Sequence, residues 1–384
     1  MHGTTLRIET IEGGDRLRAI ADEWRALARA ASEPNIFFEP MAILPALDYP
    51  GAGRVFAVVA WGADAAGKRQ LNGMLLLDRW NRGPFLPTGL ETWDYRLRAF
   101  GGPLIRAGQE RSFWTALLPH LDDIGGASFL RLAQLHTDSP STRALIEVAR
   151  DLKRPLYVTR TLERALLRGG VSREDYLRRI PRKLLSEQKR RRKRLEELGP
   201  ITFAKLRPEE DPAQWIDEFI ALEESGWKGR KGVAAASETH VEAFTRHLLA
   251  EAHAQGRLDM RRLCLGERTI SMLAHIETGR TAISFKIAYD EEFSRYSPGV
   301  LLQMEYLEHG LTLDWVDSCS TPGHPMFERI WLDRRPILSL MIPLDRPAAR
   351  MACAVENAGR SLFARIRAAA RTRAPAAEGL RANA

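Results

Sequence analysis

Cysteine is scarce in this 384-residue chain: Cys264, Cys319 and Cys353 are odd in number, lie far apart and lack the paired spacing of a metal site. A disulfide scaffold and a cysteine-ligated zinc are thereby excluded. Long apolar runs are missing too, since no segment offers the roughly 18 apolar residues that a spanning helix needs. The opening residues, MHGTTLRIETIEGGD, lack the basic stretch and apolar core of an export signal, so a reducing cytoplasm is the expected setting. What is present is ordinary: 45% hydrophobic and 28% charged residues make a globular protein, and the length predicts two domains of similar size or one large one.

Acidic charge is sparse in two places. Residues 178–194 hold ten Lys/Arg against one Glu, for +9, and residues 350–384 hold seven Arg against two Glu, for +5; with a total of +8, the remainder stands at −6. Two basic segments decorate a mildly acidic body. Such fixed positive potential attracts phosphate, whether of a nucleic acid, an anionic lipid surface or a polyphosphate cofactor. No zinc, helix-turn-helix or RNP-like pattern accompanies the basic run, which puts non-enzymatic nucleic-acid binding last among the function classes.

Alternation makes TLRIETI a strand, and Leu17, Ile20, Trp24 and Leu27 recur at helical spacing behind it. The first half reads β-α-α-β-β-β-α-β-α-β. From Ile201 the order recurs: a strand, helices around Trp215 and Phe244, the strands LDMRRLCLG, TISMLAHIETG and AISFKIAYD, the helix VLLQMEYLEHG and further strands. The repeat predicts two copies of one α/β (α+β) fold. Between them a run from Pro181 to Gly199 has no interior breaker and is expected as a basic linker helix. Residues 350–373 are expected as a second basic helix, with Val355, Leu362, Phe363 and Ile366 on one face, followed by a disordered tail.

The turn Tyr296-Ser297-Pro298-Gly299 follows an apolar strand and feeds Val300, Leu301 and Leu302 of a helix. Ser is a favoured N-cap, Pro tolerates the first turn and Gly lets a ligand approach the backbone, so amides and a positive dipole end face outward. That combination seats phosphate, although an ordinary capped helix explains the same residues.

Trp227-Lys228-Gly229, Leu258 to Gly266, Ala288-Tyr289-Asp290, Ser297 to Leu302 and Asp317 together resemble the GNAT acyltransferases. The nearest resemblance is to the acetyltransferase subfamily associated with bacterial cellulose biosynthesis, itself similar to the aminoacyltransferases that build peptidoglycan bridges; a bacterial ceramide-synthase-like member is the finer likeness. It runs over nearly the whole chain and is strongest from Leu184 to Leu344. It implies tandem GNAT-like domains, each a mixed, mostly antiparallel sheet flanked by helices. The expected division is a degenerate domain at 1–165, the linker helix at 166–199, an acyl-CoA-binding domain at 200–345 and a basic helix and tail at 346–384. It also implies acyl-CoA as co-substrate, no metal, and direct attack of an acceptor on the thioester while backbone amides beside the fourth strand hold the oxyanion. Lys286, Ser297, Pro298, Gly299, Val300, Leu301 and Leu302 are the expected donor-binding residues, and Trp227, Lys228 and Asp317 the expected acceptor side.

Candidates for proton transfer are Glu224 with its neighbour Glu223, His275, Asp290, Tyr289 and His324. Each has a plainer reading: a solvated helix end for the glutamates, a core histidine in an alternating strand for His275, an aromatic strand end for Tyr289. One departure stands out. Where the subfamily commonly has a Tyr-Lys pair, Gly323 to Trp331 places Glu328 at the lysine position, which weakens any inference of a sugar or peptide acceptor. The favoured acceptor is a lipid-like, sphingoid-type amine, because both basic helices suit peripheral docking on the anionic inner membrane face. Acetyl transfer to a polysaccharide or amino sugar, and aminoacyl transfer from tRNA, are the alternatives.

Overall fold

The computed structural model describes residues 6–48, 55–81, 88–95, 97–225, 239–346, 349–355 and 357–358. The first half contains β1 (Arg7–Glu12), α1 (Gly14–Ala19), α2 (Ala21–Arg29), α3 (Pro40–Ala46), β2 (Phe56–Ala63), β3 (Arg69–Trp80), β4 (Gly89–Thr92), β5 (Leu104–Ile105), α4 (Glu110–Asp123), β6 (Phe129–His136), α5 (Pro140–Asp151) and β7 (Tyr157–Arg168). Next come α6 (Arg173–Arg179) and α7 (Arg182–Glu196). The second half contains β8 (Ile201–Lys205), α8 (Ala213–Ser225), α9 (Thr239–Ala254), β9 (Leu258–Leu265), β10 (Arg268–Thr278), β11 (Thr281–Tyr289), α10 (Pro298–Gly310), β12 (Trp315–Asp317), α11 (Phe327–Ile330) and β13 (Asp333–Pro343).

The linker read as one helix is two. Ile180 precedes Pro181 and is extended (φ −77°, ψ 136°), because the proline ring clashes with a helical residue before it, so α6 stops there and α7 starts afresh. Within α7, Arg191–Glu187 and Arg192–Glu196 pair four residues apart, and Leu184, Gln188 and Leu195 form the buried stripe.

Among the described residues, the strands share one 13-stranded sheet in the order β1-β2-β3-β4-β6-β13-β7-β12-β11-β10-β9-β8, with β5 on β3. The seam of this sheet is not where the sequence turns from one half to the other. β13, the last strand, inserts between β6 and β7 and runs antiparallel to both, while β7 pairs antiparallel with β12. Each half thus places its final strand in the other's sheet. Across the same seam α3 packs on α9, and Glu39 at the start of α3 receives Arg257 through both guanidinium arms (2.6 and 2.9 Å).

Helices cover both faces of the second half: α8 lies on one side of β10 and β11, α10 on the other. This explains why β10 reads as a nearly continuous apolar run instead of alternating. Two cores result. One joins the first half to the α8 and α9 face and includes Trp24, Phe37, Trp114 and Phe244; the other lies under α7 and α10 and includes Tyr176, Leu302, Tyr306 and Trp331. Among the described residues no helix is long and apolar enough to cross a membrane. Residues 349–355 are helical, with Cys353 buried against Phe129 and Met341, and the rest of the expected C-terminal helix from residue 359 lies outside the described residues.

Candidate active site

A fork in the sheet centres the site. β11 and β12 run parallel for only three rungs, Thr281 with Trp315, Ala282 with Val316 and Ile283 with Asp317. Past Asp317 the chain turns to β7, where the Ser318 N–H donates to the Ala165 carbonyl (3.1 Å). On β11 the register against β10 slips where Ala274 faces Lys286 and His275 faces Ser284, leaving Phe285 as a bulge. Beyond it the Asp290 N–H donates to Ile270 (2.9 Å), so alternation turns the backbone of Ile287 and Tyr289 to the edge facing the fork.

On one face of the fork stands the N-terminus of α10. Ser297 was expected to cap it. Instead its backbone is left-handed (φ 53°, ψ 53°), and its hydroxyl takes the Arg191 guanidinium of α7. Pro298 has no N–H, and Val300 and Leu301 both return theirs to the Ser297 carbonyl (3.0 and 3.1 Å). The expected cradle of several amides therefore reduces to the Gly299 N–H, the helix dipole and Arg191. Gly299 is confined as well: a Cβ there would lie 3.3 Å from Ile287 Cδ1, 3.6 Å from Met326 Sδ and 3.8 Å from Tyr289 Cδ1. These residues fit a phosphate-bearing donor that slides past Gly299 towards the fork. Six further cations of α7, Arg182, Lys183, Lys189, Arg190, Lys193 and Arg194, are exposed and have no carboxylate partner among the described residues. Leu301 and Leu302 face inward as core residues; Val300 is half-buried.

Tyr289, expected as a proton donor to a departing thiolate, ends β11 beside the fork. Burial, with Glu291 adding to it, raises its hydroxyl above the usual phenol value, so it stays protonated. His275 does not reach the fork. It is wholly buried beneath α10, stacked 3.9 Å from Tyr306 and within 3.4 Å of Gln303 Nε2, and burial lowers it to about 3, which makes it a neutral core imidazole. Glu224 is exposed at the end of α8, whereas Glu223 turns inward and accepts from Lys286 Nζ through both carboxylate oxygens at 2.9 Å. Lys286 consequently points to the α8 face, opposite α10, and away from the donor seat assigned to it. Its displacement follows from the Phe285 bulge, which resets the alternation of β11. His324 lies in the loop before α11, its ring 5.1 Å from Phe327, and Glu328 is tied to Arg334 (2.5 Å) and the Gly323 N–H (3.1 Å). Glu328 thus closes that loop. Asp290 caps the turn before Ser297 and pairs with Arg268. Trp227, Lys228 and Gly229 lie outside the described residues.

On the opposite face, Asp317 anchors a buried charge cluster. Its Oδ1 is 3.4 Å from Arg164 Nη1 and accepts from the Cys319 N–H (2.8 Å); its Oδ2 is 3.6 Å from His136 Nε2. His136 Nδ1 donates to Glu33 Oε1 (2.7 Å), which also receives Arg335 Nη2 (3.1 Å). Burial alone would raise the Asp317 carboxyl, yet Arg164 and His136 outweigh it and hold the group below the carboxylate range. Sequence reading finds Asp317 but misses Glu33, His136, Arg164 and Arg335, because they lie in separate segments with no local motif.

Among the described residues, Asp259, Glu277 and His309 form a cluster that could hold a metal ion. Lys205 (2.9 Å) and Arg261 (2.7 Å) already neutralise Asp259, and His309 Nε2 is spent on Glu277 (2.6 Å).

Residues 182–318 match the model of the family described as the acetyltransferase (GNAT) domain. The span opens on α7 and closes just past Asp317, so it contains the Ser297–Gly299 turn and both prongs of the fork, and the enzyme class it establishes is acyltransferase. No curated protein matches the chain. Among solved structures, FemX is similar at 11% identity over 89% of this chain and 99% of its own, with a TM-score of 0.54. A conserved protein of unknown function from Bacteroides thetaiotaomicron is similar at 10% identity over 85% of this chain and 97% of its own, with a TM-score of 0.53. The C-terminal domain of a protein described as a lysylphosphatidylglycerol synthetase from Agrobacterium fabrum is similar at 12% identity, over 89% and 96%, with a TM-score of 0.50. These likenesses establish a shared fold.

Proposed function

We propose that the chain transfers an acyl group from acyl-CoA to an amine, and that the favoured acceptor is a lipid-like amine. The observation that carries the donor is the Gly299 N–H and Arg191 pair at the start of α10, beside the strand edge at Tyr289. Arg191 and the helix dipole would hold the pyrophosphate, the β11 edge at Tyr289 would receive the thioester oxygen, and the protonated Tyr289 hydroxyl would supply the sulfur with a proton. Amide donors of this kind contribute about 3–4 kcal/mol to acyl transfer. Asp317, ionised on the far side of the fork, would receive the acceptor's ammonium.

A lipid acceptor draws support from the six exposed cations of α7, which suit an anionic membrane surface, and from the fold shared with a protein named for lysylphosphatidylglycerol synthesis. The same cations support a second reading, aminoacyl transfer from tRNA. Calorimetric titration of the full chain with acetyl-CoA, a long-chain acyl-CoA and tRNA separates them. Acyl-CoA binding, tighter for the long chain, is the expected result; binding of tRNA alone overturns it in favour of the second reading. The product is checked by mass spectrometry after incubation with a sphingoid base and, as the competing acceptor, an amino sugar.

A further inference from the structure

We propose that His136 takes the proton from the acceptor amine, so that the first half of the chain supplies the base for chemistry seated in the second. This rests on the amine-acceptor reading above and extends it to a residue outside the matched span.

Glu33, His136, Arg164, Asp317 and Arg335 are buried, from 2% exposed for His136 and Asp317 to 7% for Glu33. Enclosing ions costs several kcal/mol each unless every partner is satisfied. Here the partners are not all satisfied. His136 Nε2 and Asp317 Oδ2 face one another at 3.6 Å, too far for a hydrogen bond, and neither has another partner; Arg164 Nε and Arg335 Nη1 are likewise without one. A nitrogen about 2.9 Å from both orphaned atoms closes a triangle on that 3.6 Å base. An alkylammonium in that position satisfies both, giving one N–H to the carboxylate and one to the imidazole.

The remaining contacts of His136 prepare it to accept. Glu33 takes the Nδ1 proton, so that whenever the ring is neutral its lone pair is on Nε2. Phe100 stacks on the ring at 3.8 Å and Trp315 meets it edge-on at 6.4 Å, so it cannot swing away. The charged groups around it are Glu33 with Arg335 behind it, and Asp317 with Arg164 behind it. Asp317 is also the last rung of the fork, which places the triangle on the side opposite α10. The ammonium gives one proton to Nε2; its nitrogen lone pair attacks the acyl carbon, the C–N bond forms, the C–S bond breaks as the Tyr289 hydroxyl protonates the sulfur, and the nitrogen's surplus proton restores that hydroxyl. His136 then returns its proton to solvent.

The test uses the full chain, with acetyl-CoA and a long-chain amine. His136→Gln should lower kcat/KM about 100-fold and abolish the acid limb of its pH profile, while acetyl-CoA binding by calorimetry is unchanged. Imidazole should restore part of the rate to His136→Ala, and Glu33→Gln should move the limb to lower pH. A His136→Gln enzyme with wild-type rate and limb overturns the proposal, as does an unmoved limb in Glu33→Gln should the histidine variants fail to fold. Ring resonances of His136 that shift when dodecylamine is added to the wild-type chain support the assignment without any turnover; resonances indifferent to the amine sink it. Loss of acyl-CoA binding by wild type is a separate failure, that of the donor reading.

Discussion

Two histidines stack face to face on aromatic rings in the buried interior, one on each side of the fork, and they are built for opposite ends. His275 lies against Tyr306 under α10, where burial dominates and strips its proton down to about 3. His136 lies against Phe100 with a carboxylate at each ring nitrogen. Aromatic stacking is common to both; charge is not. On the proposed reading, the donor face of the fork would work through backbone and helix dipole, and the acceptor face through charged side chains.

The largest effect should come from removing the charge that organises the acceptor face. Asp317→Asn leaves Arg164 buried without its counter-ion and should cost about 3–5 kcal/mol in urea unfolding, with a steep fall in kcat/KM; a variant of wild-type stability and rate would erase the contrast between the faces. Next is Gly299→Val. Its branched carbons press on Ile287 and Met326, so overpacking of about 1–3 kcal/mol and a rise of at least about tenfold in the acyl-CoA Kd are expected from calorimetry; unchanged affinity would move the phosphate elsewhere.

An acid-limb measurement sharpens the comparison from outside the fork. Lys205 and Arg261 overcome the upward push of burial on Asp259 and lower it from 3.8 to about 2. A depressed carboxylate adds stability that is full above pH 4 and disappears as pH falls through 2, about 2 kcal/mol in all. Asp259→Asn should flatten the unfolding free energy across that window. Arg191→Gln should weaken acyl-CoA binding by about tenfold and reduce its salt dependence, because one charge-assisted contact is lost. Smallest of all, His275→Phe should leave the pH profile where it is, at a stability cost of about 1–2 kcal/mol from the unpaired Gln303; a shifted limb would make His275 the titrating group after all.

Much of the fold is legible in periodicity alone. The three strands before α10, the turn at Ser297 and the helix after it stand where alternation and helical spacing place them. Local chemistry governs them: a strand followed by Ser-Pro-Gly and an apolar helix has few other conformations. Legibility fails where a side chain's direction depends on a neighbour. Ser297 looks like an N-cap but is turned left-handed by the preceding turn and occupied by Arg191. Lys286 looks like a donor contact until the Phe285 bulge sends it to Glu223. The linker's basic run looks like a free surface, yet Arg191 within it reaches the Ser297 hydroxyl.

By itself the sequence determined the mixed α/β class, the order of elements and the strand-turn-helix around Ser297, since each depends on residues within a few turns of one another. Only the tertiary structure decided the buried charge cluster at Asp317. Glu33, His136, Arg164, Asp317 and Arg335 come from five separated segments, and they meet because β7 and β13 exchange sheets at the seam. Strand exchange is a long-range pairing with no local signature, and it brings those charges to the fork.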